Sequence, residues 1–226
     1  MKFRKFLMLR KKRATYPAIL DDTNTVLWVD YQTNITKDGS DLVSVWGDKS
    51  GNGNDLLQAV GTNQPLQTAD GILFDGVDNF MKAVAFTLVQ PEFIYIVVKL
   101  VSYTQSREIF DGNSANSGFI TEATILPEIK AYAGLFSPAN NDLTVGSFHI
   151  ARVLFNGGSS KLQVNEETAT TWSSGVNNMN GFTLASNGGN IRFANIEVKE
   201  VIIRKIADTA PNEAEIYAYL SSKYGI

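Results

Sequence analysis

The chain lacks cysteine altogether, and it has one histidine, His149, among 226 residues. Without cysteine there is no disulfide, no thiolate ligand for a metal and no thiol nucleophile. A single histidine also excludes the zinc sites that are built from several imidazoles. Cysteine-dependent enzymes, multi-histidine zinc hydrolases and disulfide-stapled scaffolds are therefore removed from the functions to consider.

Long apolar runs are missing as well. Near the N-terminus the longest is residues 6–9, which is shorter than the ~7–15 apolar residues of a signal peptide. No segment approaches the ~18 apolar residues of a membrane span. We therefore expect a protein made in the host cytoplasm without a signal peptide.

Charged residues are few, 19% of the chain, and they are unevenly placed. Residues 1–13 carry seven basic side chains and no acidic one, which leaves 13 basic against 23 acidic residues, a net charge of −10, in the remainder. The seven are Lys2, Arg4, Lys5, Arg10, Lys11, Lys12 and Arg13. This asymmetry predicts a basic N-terminal arm over residues 1–20, joined at Tyr16-Pro17 to one domain over residues 21–226.

Short apolar segments separated by Gly, Asn, Asp and Ser clusters predict many short β-strands. They lie at residues 26–29, 42–46, 56–57, 71–74, 93–101, 107–110, 129–133, 148–155, 161–164, 181–185 and 191–206. No helical pattern alternates with them, which favours an antiparallel sandwich or barrel. Residues 93–101 are apolar on both faces except at Lys99, as a central strand would be. The alternation after Ile196 breaks near Lys199-Glu200, which predicts a β-bulge there.

One α-helix is predicted, at the C-terminal end. Pro211 suits the first turn, and Glu213 and Glu215 lie where the helix dipole favours anions. The apolar stripe that would dock on the sandwich consists of Ile216, Tyr217, Leu220 and Tyr224. Gly225 supplies the residue for a left-handed cap.

Two segments carry a resemblance to a known family. They are Trp46-Gly47-Asp48-Lys49-Ser50-Gly51-Asn52-Gly53-Asn54, followed by Gln64-Pro65 and Phe74-Asp75-Gly76-Val77-Asp78-Asn79-Phe80, and the closing Tyr219-Leu220 with Lys223-Tyr224-Gly225-Ile226. This pattern resembles the concanavalin A-like lectin/glucanase superfamily, in particular the laminin G-like domains of bacteriophage virion and bacterial surface proteins. The sequence departs from it at Asp55, Asn79 and Phe80-Met81. The resemblance implies an all-β, two-sheet antiparallel jelly roll with a short C-terminal helix.

A calcium loop is suggested by the oxygen side chains of Asp48, Asn52 and Asn54 and by their glycine spacing. The twelfth position of that register is Ala59 instead of a bidentate glutamate. We therefore expect hydrogen-bonded turns and no cofactor. Asp75 and Asp78 are the residues that would restore charge if the loop did hold calcium.

Aromatic residues are the candidates for stacking on a sugar. Trp172 lies among threonines and serines in a setting predicted to be polar and exposed, and Tyr132 and Tyr103 are weaker candidates. Trp46 and Trp28 lie in apolar segments and are expected in the core.

A retaining glycosidase needs two carboxylates close together, and alternate residues on one strand would provide that spacing. None of the ten glutamates is followed two residues later by aspartate. Glu197 and Glu200 differ in parity, so hydrolysis is disfavoured. His149 is interpreted as a structural histidine in a strand, with its polar ring atoms hydrogen-bonded and Arg152 on the opposite face.

We therefore interpret the chain as a non-catalytic, lectin-like recognition module of a bacteriophage virion, such as a capsid decoration, head fibre or tail component. Its partners would be a glycan or host surface and, through the basic arm, an acidic capsid or tail protein. Nucleic acid, an anionic membrane surface or a solubilising tail are other interpretations of the arm, and a homo-oligomer stays open. The alternatives are a polysaccharide-degrading hydrolase or lyase on the same fold and a structural virion protein without a ligand.

Overall fold

The computed structural model of the protein describes residues 16–122 and 127–226, and within these ranges it shows two antiparallel β-sheets packed face to face. The strands of the first half are β1 (Thr25–Asp30), β2 (Ile35–Lys37), β3 (Val43–Trp46), β4 (Leu56–Leu57), β5 (Leu66–Gln67), β6 (Ile72–Asp75), β7 (Met81–Ala83) and β8 (Glu92–Leu100). Those of the second half are β9 (Glu108–Asp111), β10 (Phe119–Glu122), β11 (Ile129–Tyr132), β12 (Phe148–Phe155), β13 (Ser160–Val164), β14 (Thr170–Trp172), β15 (Thr183–Leu184) and β16 (Asn195–Arg204). Helix α1 (Ala210–Tyr224) follows, and short 3-10 turns lie at Ala18–Asp21, Gly61–Asn63 and Gly157–Ser159.

The strands form two sheets, a helix-side sheet that packs against α1 and an opposite sheet. The helix-side sheet has the strand order β14-β13-β12-β8-β16-β6-β5, with β1 also paired to β16. The opposite sheet has the order β11-β10-β9-β15-β7-β4-β3-β2. The predicted β-sandwich is thus confirmed. Five short strands were not predicted, β2, β5, β7, β10 and β14, because each is too short or too polar to show a clear alternation.

Strand β8 occupies the centre of the helix-side sheet, between β12 and β16, as its apolar character predicts. Ile94, Ile96 and Val98 lie in the core between the sheets. Phe93 and Tyr95, which alternate with them, lie in a second apolar cluster beneath α1. Both faces of β8 are therefore buried, which explains its near-continuous apolar sequence.

The predicted bulge in β16 is present. Val198 pairs with Val98 of β8, and Glu200 pairs with the next residue, Val97, so Lys199 is the extra residue. Ile196 and Val198 point into the core before the bulge, and Val201 and Ile203 point into it afterwards. Because one extra residue reverses the side-chain alternation, Glu200 lies on the helix side of the sheet and not in the core.

Glu200 joins the helix to the sheet. Its Oε1 accepts hydrogen bonds from Trp28 Nε1 (2.6 Å) and Tyr219 OH (2.9 Å). Its Oε2 accepts from Lys223 Nζ (2.7 Å) and Tyr224 OH (2.6 Å). A buried carboxylate costs free energy unless its oxygens are paired, and these four donors pair both of them. The carboxylate therefore ties β1, β16 and α1 together.

Helix α1 has the predicted ends and the predicted buried stripe. Thr209 caps its first turn, and Gly225 adopts the left-handed conformation with φ of 69°. Ile216 and Leu220 are buried in the cluster beneath the helix. Glu213, assigned from the sequence only to the helix dipole, is also buried, and it forms an ion pair with Arg152 Nη1 at 2.8 Å.

The described part of the chain begins inside the range that the sequence assigns to the arm. Tyr16 packs edge-on against Trp28, with 4.7 Å between ring centroids, and Leu20 is buried beneath α1. Residues 16–20 therefore contact the sandwich. The seven basic residues predicted as an anchor lie outside the described residues. Across residues 16–122 and 127–226, no helix has the length and apolar character needed to cross a membrane.

Shortening Leu220 to alanine tests whether α1 is part of the core. Leu220 is fully buried, so Leu220→Ala should lower the free energy of unfolding by about 2–5 kcal/mol, measured by urea denaturation. Val176→Ala, at a side chain that is 85% exposed, is the matched control and should change it by less than about 0.5 kcal/mol. Equal effects of the two substitutions would show that the helix is peripheral.

Candidate functional site

A cavity of about 220 Å³ lies at one end of the opposite sheet, where β9, β10 and β11 run side by side. Its walls combine carboxyl, basic, hydroxyl and aromatic side chains. They are Ser106, Glu108, Phe119, Thr121, Glu122, Lys130, Phe136 and Arg192. Ile120 and Ala131, which alternate with Phe119, Thr121 and Lys130, belong to the core, so the cavity lies on the outer face of the sheet.

A second β-bulge directs Glu108 to this cavity. Phe110 of β9 pairs with Ile120 of β10, and both point into the core. Glu108 pairs with the adjacent residue, Thr121, so Ile109 is the extra residue in β9. Without the bulge Glu108 would share the inward face of Phe110; with it, Glu108 shares the face of Thr121. Bulges often re-aim a side chain next to a functional site.

Glu108 is almost completely buried, with 1% of its surface exposed. Its Oε1 accepts a hydrogen bond from Arg192 Nη1 at 3.1 Å, and its Oε2 has no partner among the described residues. Burial raises the pKa of Glu108 to about 8, and Arg192 opposes that rise only in part. The carboxyl group therefore keeps its proton near neutral pH.

Glu122 also borders the cavity and is fully buried. It pairs with the core residue Ile129, so its side chain begins on the inner face of the sheet, whereas that of Glu108 begins on the outer face. The backbone amide of Thr104 donates to Glu122 Oε2 at 2.5 Å, whereas Oε1 finds no partner in the described ranges. Burial raises the pKa of Glu122 to about 7, against the opposing effects of the Thr104 amide and of Arg107. Both glutamates border one cavity and have raised pKa values, so they can donate and accept protons near neutral pH.

Aromatic rings form the side of the cavity next to β11. Phe119 stacks on Tyr132 with 4.9 Å between ring centroids, and Tyr132 lies 4.8 Å from Phe136. Phe136 is 54% exposed at the cavity mouth. Of the three aromatic residues predicted from the sequence, Tyr132 is thus beside the cavity. Tyr103 precedes Thr104, and its hydroxyl donates to the carbonyl oxygen of Glu128 at 2.9 Å.

Trp172 is not the freely exposed ring that the sequence predicted. It is partly buried, with its edge toward Phe155 at 6.2 Å between centroids. Its indole nitrogen donates to the carbonyl oxygen of Leu135 at 3.2 Å. The polar neighbours in sequence belong to edge strand β14, where side chains alternate between solvent and the core, so they did not indicate where the ring itself lies. Trp172 supports the loop that carries Phe136.

The Asp48 loop uses its oxygen atoms to hold its own backbone. Asp48 Oδ1 accepts from the amides of Trp28 (2.9 Å) and Ser50 (2.8 Å), and Oδ2 accepts from the amide of Asn54 (3.0 Å). The side-chain amides of Asn52 and Asn54 donate to carbonyl oxygens of β1. The predicted hydrogen-bonded turns are confirmed.

Asp75 and Asp78, the residues that would have added charge to that loop, form a separate turn. The Oδ1 atom of Asp75 accepts from the amides of Val77, Asp78 and Asn79. Throughout residues 16–122 and 127–226, no three His, Asp or Glu side chains gather as a metal site requires.

His149, Trp46 and Trp28 are where the sequence placed them. The His149 ring contacts the amide of Thr144 and the side chain of Asn165, and Arg152 lies on the opposite face toward α1. Burial lowers the pKa of His149. Both tryptophans are buried.

The two glutamates at the cavity do not lie on a single strand, which is the arrangement that the sequence analysis considered. Glu108 and Glu122 come from neighbouring strands, and strand β10, which carries Glu122, was not predicted. The signal available in the sequence was that each of these two glutamates lies at one end of a short apolar segment. Glu197 and Glu200, which the sequence placed on opposite faces, share the helix side because of the β16 bulge; Glu197 is paired with Lys99.

Two larger grooves, of about 820 and 870 Å³, run beside α1. Asp30, which lines the first, is paired with Lys49 and Lys223 at 3.0 and 2.7 Å. In the second, Arg152 is paired with Glu213. The charged groups in these grooves hold the helix in place, so the smaller cavity is the better candidate site.

No protein-family model and no curated protein matches this sequence. Solved structures do share the fold. Trypanosoma rangeli sialidase in complex with sialic acid superposes with a TM-score of 0.63 and 12% identity, over 90% of this chain and 34% of the sialidase chain. The same sialidase in complex with 2,3-difluoro-KDN gives 0.64 and 10%, over 90% and 33%. A GH54 α-L-arabinofuranosidase soaked with a cyclic sulfate inhibitor gives 0.62 and 14%, over 79% and 50%.

This chain thus spans about a third of the sialidase chain and half of the arabinofuranosidase chain. At 10–14% identity the likeness establishes the β-sandwich fold alone. The interpretation as a non-catalytic phage virion module is contradicted by these comparisons, because the similar structures are a sialidase and an arabinofuranosidase. Nothing in them supports a virion, a phage or a lectin.

The Asp48 loop gives a test of structural hydrogen bonding against metal binding. Asp48→Ala leaves backbone amides of β1 and the loop without their acceptor, so it should lower the free energy of unfolding by about 1–3 kcal/mol. Thermal melts of the wild-type protein with calcium and with a chelator should superimpose. Asp70→Ala, at an exposed aspartate, serves as the control. A calcium-dependent rise in melting temperature that Asp48→Ala abolishes would contradict the structural interpretation.

Proposed function

We propose that the chain is a glycoside hydrolase domain and that the cavity at Glu108 and Glu122 holds the sugar whose glycosidic bond is cleaved. The observation that carries the proposal is that two buried glutamates border one cavity, each with a carboxyl oxygen that has no partner among the described residues. Enzymatic glycoside hydrolysis characteristically uses two carboxyl groups, one on each side of the bond that is cleaved. That the sandwich is a concanavalin A-like jelly roll of the laminin G type is part of the same proposal.

Glu108 is assigned the role of general acid. Its raised pKa keeps it protonated at neutral pH, as a group that must give a proton to the leaving oxygen should be. Once the proton has left, the carboxylate needs stabilisation. The guanidinium of Arg192, already 3.1 Å from Oε1, supplies the positive charge.

Burial raises the pKa of Glu122 to about 7, so part of its population is ionised at neutral pH. It is therefore assigned to the second role, as base or nucleophile. The exposed ring of Phe136 and its neighbour Tyr132 supply an apolar surface for the face of a sugar ring. The sugars bound by the similar structures differ from one another, so they fix no single sugar for this chain.

The proposal is tested by hydrolysis of a panel of 4-nitrophenyl glycosides and oligosaccharides with the full chain. Glu108→Gln keeps the size of the side chain but removes its transferable proton, so it should lower kcat by about 100-fold or more. Glu122→Gln should cause a loss of similar size. In the wild-type protein, activity should fall as the pH rises past the pKa of Glu108, about 8.

Glu167→Gln, at an exposed glutamate that does not line the cavity, should retain full activity. Circular dichroism and melting curves of each variant separate loss of catalysis from loss of folding. Hydrolysis that survives in both cavity variants, or a folded wild-type protein that cleaves nothing in the panel, would contradict the proposal.

A further inference from the structure

We propose that the cavity selects an anionic sugar, one that carries a carboxylate or a sulfate group, through Lys130 and Arg192. This inference rests on the proposed function for its sugar ligand and goes beyond it in naming the substrate class. The two basic side chains line the same cavity as the candidate catalytic pair.

The cavity has two basic side chains in a domain that is otherwise acidic. Beyond residue 13 the chain has 13 basic and 23 acidic residues, whereas the residues that line the cavity include as many basic as acidic side chains, two of each. Arg107 is a third positive group near Glu122, and its charge lowers the pKa of that glutamate. A cluster of cations in an acidic chain attracts anions selectively.

Lys130 has no acidic partner within the ranges that the structure describes. Glu128, two residues earlier, is not among the residues that line the cavity. Asp111 acts electrostatically on Glu108, but its carboxylate accepts hydrogen bonds from the amides of Gly112, Gly118 and Gly188 and is held by these contacts. The ammonium group of Lys130 is therefore available to a ligand.

Arg192 is paired but remains accessible. Its Nη1 donates to Glu108, and its side chain is 48% exposed. The planar guanidinium has further N–H donors, arranged in a fork that matches two oxygens of a carboxylate or sulfate.

Burial also limits how far the two glutamates can neutralise these cations. Because the pKa values of Glu108 and Glu122 are raised to about 8 and 7, their carboxyl groups are partly or mostly uncharged at neutral pH. The two glutamates therefore neutralise Lys130 and Arg192 less than two ionised carboxylates would.

The test compares ligands that differ in charge alone. Binding of tetragalacturonate and of its methyl ester is measured by isothermal titration calorimetry, alongside a sulfated carrageenan tetrasaccharide and its desulfated form. At least one anionic ligand should bind about tenfold more tightly than its neutral counterpart, the size expected of one charged hydrogen bond. That preference should shrink as salt is raised.

Lys130→Gln should remove most of the preference, whereas Lys205→Gln, at an exposed lysine outside the cavity, should leave it intact. Equal binding of charged and neutral forms, no binding of either, or an unchanged preference in Lys130→Gln would overturn the inference. Cleavage of neutral glycosides that depends on Glu108 would then leave the proposed function standing. Conversely, anion-selective binding lost in Lys130→Gln without any hydrolysis would support this inference and contradict the catalytic one.

Discussion

One extra residue in a β-strand decides on which side of a sheet every following side chain lies. In this protein that constraint acts twice. The extra residue Lys199 in β16 places Glu200 beneath the helix, and the extra residue Ile109 in β9 places Glu108 at the cavity. Regular strands would direct both carboxyl groups into the core between the sheets, where a charge has no water and few partners. The helix attachment and the candidate active site both depend on these two irregularities.

The two redirected carboxyl groups, those of Glu200 and Glu108, differ in how many hydrogen bonds they accept. Glu200 accepts four, one from Trp28 in β1 and three from α1, and these hydrogen bonds hold the helix on the sheet. Glu108 borders a cavity and receives one donor, from Arg192, while its other oxygen has no partner among the described residues. Glu92 shows that an unsatisfied oxygen alone is not enough. Burial raises its pKa to about 8 as well, but it lies opposite Phe155 at the end of β8 and lines none of the cavities described here.

Much of the fold could be predicted from the sequence, because its signals are local. The apolar run of β8, the break in alternation at Glu200 and the caps of α1 each lie within a few residues of the feature they specify. The Asp48 loop is of the same kind. The candidate site depends instead on which strands are neighbours. Glu108 and Glu122 border the same cavity because β9 pairs with β10, a strand of four residues that the alternation did not reveal.

Function was the property hardest to predict from the sequence, and the reason is physical. The resemblance between Trp46 and Phe80 concerns turns and core positions, and these specify a sandwich that can carry many activities. The groups that would do chemistry lie outside that stretch. The exposure of an aromatic ring is likewise a tertiary property, as Trp172 shows: its neighbours in sequence are polar, whereas its ring packs on Phe155.

The ionisation of Glu108 is the property on which the proposed chemistry depends, and it can be measured directly. The protein is labelled with glutamate carrying carbon-13 at the side-chain carboxyl, and the resonance that Glu108→Gln removes is followed by NMR as the pH is raised. A buried acid poised to donate a proton predicts a midpoint at a pH of about 8. A midpoint near the ordinary glutamate value of about 4.3 would mean that the group is ionised at neutral pH, and it would contradict the role of Glu108 as the general acid.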